Sequence, residues 1–381
     1  MKKVLILNPT YLPGYRAGGP QQTVKNICDI YGDKSEIYLI TKNRDFKSEE
    51  PYELPVNTWI QSNNVKVKYV EPRDYGYKVF LDGYKSFDTI YSCGLFCKNS
   101  YIMMAIHKLM HNRNKTLFVA PMGVFSSGAI SIKARKKRIF LKSFSILGFF
   151  DNIVWSFTSY KELNEAKQLI SNHIKRFIIA EDLPRSIDYE KSKERIKEKE
   201  NGKLKIVFLS RISRMKNLEV CIDILNGKYE GEITFDIYGV KEDVDYWNSC
   251  VKKIESLPSN VAVNYRGEVR PEEVISVFNK YDVFLFPTKG ENFGHVIYES
   301  LATGCIPIIS DRTPWQDFEE ENCGVICSLD NLEEFRDAIR DFIQMDNIAF
   351  RTMKENAINY ADQKYKSSVN KSGYNAVFTE E

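Results

Sequence analysis

The sequence predicts an α/β protein of two domains, each a parallel sheet wound from βα units. Three observations predict it. Short apolar runs suited to buried strands recur along the chain, and helical patterns separate most of them. The chain has 381 residues, more than one hydrophobic core organises. Between the halves, residues 185–203 are almost entirely polar and dominated by Lys and Glu, the composition of a linker or an exposed helix. These features set expected limits of 1–184 for the first domain, 185–203 for the linker and 204–360 for the second domain.

The first expected strand, 4–7, runs into a loop at 8–20 that carries Gly14, Gly18 and Gly19. After it, Gln22, Val24, Ile27 and Cys28 fall on one face of a helix. No Gly-x-Gly-x-x-Gly can be read from that loop, so it is not a dinucleotide fingerprint. Further strands are expected at 36–40, 65–70, 116–120, 153–158 and 177–180, then at 205–210, 233–239, 261–265, 283–287 and 306–310. Ligands of open α/β sheets bind at the carboxyl ends of strands. The segments beginning at Arg211 and carrying Glu291 both follow strands, so they can share one crevice.

Composition excludes several classes. Against 54 basic residues stand 51 acidic ones, a net charge of +3 that does not suit a nucleic-acid binder. The 43% hydrophobic content, with 22 Tyr and 23 Phe, is enough for sizeable cores. The eight cysteines show no secreted-type spacing. Lys2-Lys3 is followed by four apolar residues, too few for a signal peptide, and no apolar run reaches the ~18 residues of a spanning helix. A cytoplasmic protein with reduced thiols is expected.

The most informative stretch is Thr288-Lys-Gly-Glu-Asn-Phe-Gly-His-Val-Ile-Tyr-Glu299, with Glu291 and Glu299 eight residues apart across a helix start. Val296, Ile297, Leu301 and Ala302 repeat at helical spacing and Gly304 ends the run. Backbone N–H groups at such a start favour phosphate, while one carboxylate stands at the mouth of the loop and the other deeper. Upstream, the strand Lys205-Ile-Val-Phe-Leu-Ser210 leads into Arg211-Ile-Ser-Arg-Met-Lys216-Asn217. Two cations on one loop after a strand can hold an anionic ligand. The bland alternative for that loop is a solvated basic turn.

These blocks together resemble the retaining glycosyltransferases of family 4. The first carries their Glu-x7-Glu signature and continues through Ala302-Thr-Gly-Cys-Ile-Pro307 and Ser310-Asp-Arg-Thr-Pro-Trp315. The second is similar to their Gly-Arg-x4-Lys-Gly loop, with Ser210 and Asn217 in place of the glycines; Asn tolerates the positive φ such a loop uses. The 8–20 segment resembles their Gly-Gly loop at Gly18 and Gly19. Ala120-Pro-Met-Gly-Val-Phe-Ser-Ser-Gly-Ala129 resembles a segment that borders the acceptor and usually carries Pro-Arg-Gly; Met122 stands where the arginine would be.

The resemblance implies the GT-B fold, two Rossmann-like β/α/β domains facing each other across a cleft, with 361–381 packing back on the first domain. It implies a metal-independent enzyme with no cofactor. The donor is a nucleotide-diphosphate sugar of UDP or GDP type, and the acceptor a glycan or lipid-linked oligosaccharide of surface polysaccharide biosynthesis. Arg211, Lys216 and Glu291 would be catalytic, the two cations on the diphosphate and Glu291 on the sugar. Glu299 would take the ribose hydroxyls, and Asn292, Phe293, Gly294, His295, Gly18 and Gly19 would complete the donor site. His295 would donate to the sugar or phosphate, or cap the helix. Many relatives carry a further histidine in the first domain; the comparable Thr89-Ile-Tyr-Ser-Cys-Gly-Leu-Phe96 has none, so no catalytic histidine is assigned. A non-hydrolysing sugar-nucleotide epimerase and an inactive partner subunit are the rival readings.

Other constellations are weaker. Cys93-x3-Cys97 with His107-x3-His111 has a zinc-like look, but the gap is short and the histidines fall in an apolar helical run, so no metal site is expected. Cys323-x3-Cys327 has no nearby His and reads as buried thiol. Asp243-Val-Asp245 imitates a metal-binding Asp-x-Asp but reads as a solvated helix start. Finally, Lys133, Arg135, Lys136, Lys137, Arg138 and Lys142 adjoin Phe140, Phe144, Leu147, Phe149 and Phe150. A basic stretch with such neighbours reads as a helix attracted to an anionic membrane surface, peripheral on the inner face of the cytoplasmic membrane. The alternative is an amphipathic helix packed on its own domain.

Overall fold

The computed structural model describes residues 1–380 apart from 111, 113, 126–129 and 131–133. The chain forms two compact units, Met1–Leu183 joined by Ser368–Glu381, and Pro184–Ser367.

The first unit is built on eight strands: β1 (Lys3–Leu7), β2 (Glu36–Lys42), β3 (Trp59–Ser62), β4 (Val65–Val70), β5 (Thr89–Cys93), β6 (Thr116–Ala120), β7 (Val154–Phe157) and β8 (Phe177–Ile179). Their order is β3-β4-β2-β1-β5-β6-β7-β8. All pairings are parallel except β3 with β4, a hairpin at the sheet edge. The apolar runs become buried strands because helices cover both faces. Along β1, Leu5 and Leu7 enter one core while Val4 and Ile6 enter the other, the two-residue alternation of a strand. The C-terminal residues complete this unit. Tyr374, Val377 and Phe378 are buried against Val4 and Tyr31, and Tyr31 Oη donates to Asn375 Oδ1 at 2.7 Å.

The second unit carries β9 (Lys203–Leu209), β10 (Glu232–Tyr238), β11 (Val261–Gly267), β12 (Val283–Phe286), β13 (Ile306–Ser310) and β14 (Val325–Cys327), all parallel, in the order β11-β10-β9-β12-β13-β14. From β9 the chain winds outward through β10 and β11. It then returns to the centre and winds the other way through β12, β13 and β14. The direction reverses between β9 and β12, whose carboxyl ends therefore flank the topological switch point, where open α/β sheets bind ligands.

Three strands, β3, β5 and β14, are not among those expected from the sequence. In β5, Thr89 and Ser92 interrupt the pattern yet are buried. Ser92 Oγ is satisfied by Ser100 Oγ at 2.9 Å and by Asn99 Nδ2 at 2.9 Å, both on the following helix, Lys98–Met110. β3 and β14 are short edge strands of four and three residues. The polar stretch 185–203 is part of the second unit. It contains the helix Tyr189–Glu194 and runs into β9, and the buried Lys199 donates from Nζ to the Ile343 carbonyl at 3.0 Å. A long aliphatic stem lets a lysine pack in this way while its ammonium finds a carbonyl.

Candidate functional site

Two loops meet at the switch point of the second unit. Beyond β9 the pairing with β10 continues, Ser210 N donating to Tyr238 O at 3.1 Å and Ile212 N to Val240 O at 2.8 Å. This close approach needs glycine at 239: φ is 146° there, and a Cβ would lie 1.8 Å from the Ser210 carbonyl oxygen. The loop ends at Asn217, left-handed at φ 64°, which opens the helix Leu218–Leu225. Its side-chain amide donates to Pro287 O at 2.9 Å, fastening this loop to the one after β12. Further ties are Lys289 N to Met215 O at 3.0 Å and Thr288 Oγ1 to Met215 O at 3.2 Å. Gly294, at φ 83°, then starts the seven-residue helix His295–Leu301. Trp315 holds this second loop, its indole N–H donating to Phe293 O at 2.6 Å with the two rings 5.4 Å apart.

The charged residues expected at the donor site lie on these loops and on the helix His295–Leu301, and each has a counter-charge within the unit. Lys216 Nζ donates to Glu291 Oε1, and both side chains are mostly buried, 15% and 10% exposed. Glu291 Oε1 also accepts from Thr288 Oγ1 at 3.2 Å. The buried Glu299 pairs with Arg185 at 3.0 Å, and the same guanidinium nitrogen reaches Pro271 O at 2.9 Å. Arg211 Nη1 pairs with Glu242 Oε2 at 3.0 Å, and Arg214 with Asp243 at 3.5 Å.

His295 lies at the start of this helix, its ring 4.9 Å from that of Phe293. Desolvation, reinforced by the Arg185 charge, pushes its pKa down to about 3. The imidazole is therefore neutral at neutral pH and can donate or accept a hydrogen bond without adding charge. The N-cap position is Gly294, which has no side chain to offer the helix.

The second unit thus gathers Arg211, Lys216, Glu291, Asn292, Phe293, Gly294, His295 and Glu299. Gly18 and Gly19 belong to the first unit, where Gly18 is left-handed at φ 72° and opens the helix Gly19–Tyr31 after β1. Sequence reasoning missed Arg185 and Glu242. Arg185 was grouped with a polar linker, and Glu242 is one acid among several in a solvated-looking turn. Both contacts join residues far apart in sequence, which no local pattern reports.

The weaker constellations resolve structurally. Among the described residues no group of His, Cys, Asp and Glu could hold a metal ion. His107 uses both ring nitrogens, with Tyr84 Oη at 3.1 Å and Asn152 O at 3.0 Å, and His111 lies outside the described residues. Cys323 and Cys327 are free thiols, both buried. Asp243 caps the helix Val244–Ile254, accepting from Tyr246 N at 2.9 Å. Of the basic candidates, Lys133 lies outside the described residues. Lys137 stacks over Phe96, 5.2 Å from its ring centre, while Arg135, Lys136, Arg138 and Lys142 are exposed.

Two Rossmann-like units, the second with a charged switch point, have the architecture of the GT-B glycosyltransferases, and the chain has that fold. Over 97% of both chains it is similar to sucrose-phosphate synthase from Thermosynechococcus elongatus, with a TM-score of 0.66 and 13% identity. Over 97% of both chains it is also similar to Anabaena HepE solved in complex with UDP and glucose, with a TM-score of 0.67 and 14% identity. Residues 190–364, nearly the whole second unit, match the family model described as "Glycosyl transferases group 1". The second unit is thus similar to the glycosyltransferases of that group. A protein described as an uncharacterized 41.2 kDa protein in a cps region of Klebsiella pneumoniae is 27% identical over 189 residues, 48% of this chain and 49% of that one. The chain therefore matches about half the length of that relative. An uncharacterized glycosyltransferase of Methanocaldococcus jannaschii is 22% identical over 354 residues, 84% of this chain and 85% of its own.

Proposed function

We propose that this chain is a retaining glycosyltransferase of the family 4 type, moving a sugar from a nucleotide-diphosphate sugar to a hydroxyl of a glycan or lipid-linked oligosaccharide. The observation that carries the reading is the junction of the two switch-point loops, where Lys216 meets Glu291 and Arg211 and Glu299 stand on the same two chain segments. A structure of similar fold was solved with UDP and glucose, which supports a nucleotide-sugar donor. The relative from a cps region fits a role in surface polysaccharide biosynthesis.

In this reading Arg211 and Lys216 hold the diphosphate and offset the charge it gains as it leaves, the role a divalent cation fills in other enzymes. Arg185 engages the Oε1 oxygen of Glu299 and fixes the carboxylate that would take the ribose hydroxyls. Glu291 takes the sugar hydroxyls, and neutral His295 adds a hydrogen bond without competing charge. The acceptor oxygen bonds to the anomeric carbon on the face from which the diphosphate departs. The carbon–oxygen bond to phosphate breaks, and a phosphate oxygen takes the acceptor's proton, so no side-chain base is required.

The test is a thermal-shift panel of UDP, GDP and their sugar conjugates without added metal. The responding donor is then used in a transfer assay with the product's anomeric configuration read by NMR. A selective nucleotide response and a product with the donor's configuration are expected. An inverted product would refute the retaining mechanism, and a flat panel with folded protein would refute the donor site.

We also propose that the first unit binds an anionic membrane surface. On the helix Ala134–Ile146 the exposed face combines Arg135, Lys136, Arg138 and Lys142 with Ile139, 66% exposed, and Ile146, 74% exposed. Leu109, Met110 and Leu147 are also exposed, and Lys108 Nζ donates to the Leu147 carbonyl. Large aliphatic side chains ringed by cations suit a bilayer interface better than water. No helix among the described residues is long and apolar enough to cross a membrane.

A further inference from the structure

Both arginines of the loop between β9 and the helix Leu218–Leu225 are held by consecutive acids from one neighbouring turn. Arg211 pairs with Glu242 at 3.0 Å and Arg214 with Asp243 at 3.5 Å. That turn cannot drift away. Its backbone is laced to the arginine loop through Ile212 N to Val240 O at 2.8 Å, with a further bridge between Ile212 and Lys241. Lys241 lies over the adjoining rings of Trp247, at 4.5 Å, and Tyr265, at 4.2 Å. Lys241 is thereby turned to the aromatic side, and the charge that the turn presents to Arg211 is the carboxylate of Glu242.

A carboxylate and a phosphate engage a guanidinium through the same N–H groups, each offering it a pair of oxygens. Arg211 stands at the switch point, where ligands of such sheets bind. We infer that Glu242 is an internal counter-ion of the donor site, which a nucleoside diphosphate must displace from Arg211 to bind. The inference rests on the proposed donor role of Arg211. The Asp243 arm differs: its carboxylate also caps the helix Val244–Ile254, so it anchors the turn rather than exchanging.

The displacement is an exchange of one anion for another, so its effect is a weaker donor complex and faster release of the spent nucleotide. The pair is partly exposed, 36% at the arginine and 26% at the glutamate, so solvent screens it and its strength is modest. Removing the competing charge should tighten binding by about five- to tenfold, the competition and the repulsion of the incoming phosphates acting together.

The experiment titrates UDP and GDP calorimetrically into the full chain, using wild type, Glu242→Gln, Arg211→Gln and the double variant, at low and high salt. Glu242→Gln should bind the preferred nucleotide about five- to tenfold tighter and release it more slowly. The gain should vanish in the Arg211→Gln background, because the coupling runs through that guanidinium. Glu242→Ala provides a second variant with the same expected direction, and melting curves establish that each variant is folded. Equal or weaker binding by folded Glu242→Gln or Glu242→Ala, with wild type binding normally, overturns the inference and leaves the donor reading intact. No binding by any of the proteins overturns both. A gain that persists without Arg211 also overturns the inference, since it would reflect general charge rather than displacement.

Discussion

Replacing Lys216 by Met separates what the Lys216–Glu291 pair does for the fold from what it does for chemistry. Methionine keeps most of the stem that lies near the Phe286 ring, 5.7 Å from the ammonium, and removes only the charge. Glu291 is then an ionised carboxylate at 10% side-chain exposure without its cation. Stranding one member of a buried pair costs about 3–5 kcal/mol. The Thr288 hydroxyl still donates to Glu291, which argues for the lower end, about 3 kcal/mol. For a unit the size of Pro184–Ser367 that is a fall in Tm of about 6–12 °C. Adding Glu291→Gln removes the stranded charge, and the double variant should recover all but about 1 kcal/mol, because apolar or neutral replacements of both partners are tolerated. Activity should behave differently. Each single variant and the double should transfer sugar about 100-fold more slowly or worse, the scale of losing a charge-stabilising group. Scanning calorimetry and an initial-rate assay on the same four proteins read the two effects. Single variants as stable as wild type would refute the buried-pair argument. Recovery of rate together with stability would refute the catalytic one.

Two further predictions follow from the site and the surface. Because the folded pKa of His295 lies near 3 and the unfolded value near 6.5, the unfolded chain takes up a proton that the folded one refuses. Its contribution to stability is complete above pH 6.5 and is lost as pH falls toward 3, at up to about 1.4 kcal/mol per pH unit. Urea denaturation of wild type and His295→Asn across that range should show the variant with the shallower decline, and parallel curves would contradict the assigned neutral state. On the first unit, flotation with phosphatidylserine vesicles at low salt should recover the wild-type protein. Reversing Arg135, Lys136 and Arg138 to Glu should abolish recovery, each cation contributing roughly 1 kcal/mol near an anionic surface; absence of wild-type binding would remove the membrane proposal.

Much of this architecture was legible because buried parallel strands write themselves as uninterrupted apolar runs. Val4 to Leu7, Ile206 to Phe208 and Val283 to Phe286 are fully buried and contain no polar residue. The site loops were legible for a related reason. Asn217 and Gly294 occupy left-handed positions that few residues tolerate, so the turn chemistry restricts the letters. What stayed hidden depends on partners far away in the chain. Strand β5 holds Thr89 and Ser92 in the core, and the hydroxyl of Ser92 finds its partners only when the helix Lys98–Met110 folds over it. Arg185 looked like one more charge in a polar stretch because its partner, Glu299, lies 114 residues on.

Charge pairing within the second unit bears on how a donor can be held at all. Three cations, Arg185, Arg211 and Lys216, face three carboxylates, Glu299, Glu242 and Glu291. Each carboxylate fixes the direction of its cation, so little side-chain entropy remains to be lost when a ligand arrives. The same pairing means that phosphate oxygens must compete for the cations rather than meet them bare. The three pairs differ in how easily they yield. Arg185–Glu299 is buried and braced by the Pro271 carbonyl, Lys216–Glu291 is buried and braced by Thr288, and Arg211–Glu242 is the most exposed of the three. Breaking a buried pair strands a charge in a poor solvent, whereas opening the exposed one returns Glu242 to water at small cost. Exchange should therefore begin at Arg211, with Glu291 and Glu299 kept in place to receive hydroxyl groups, so that one site can bind an anion and a polyol without losing its geometry.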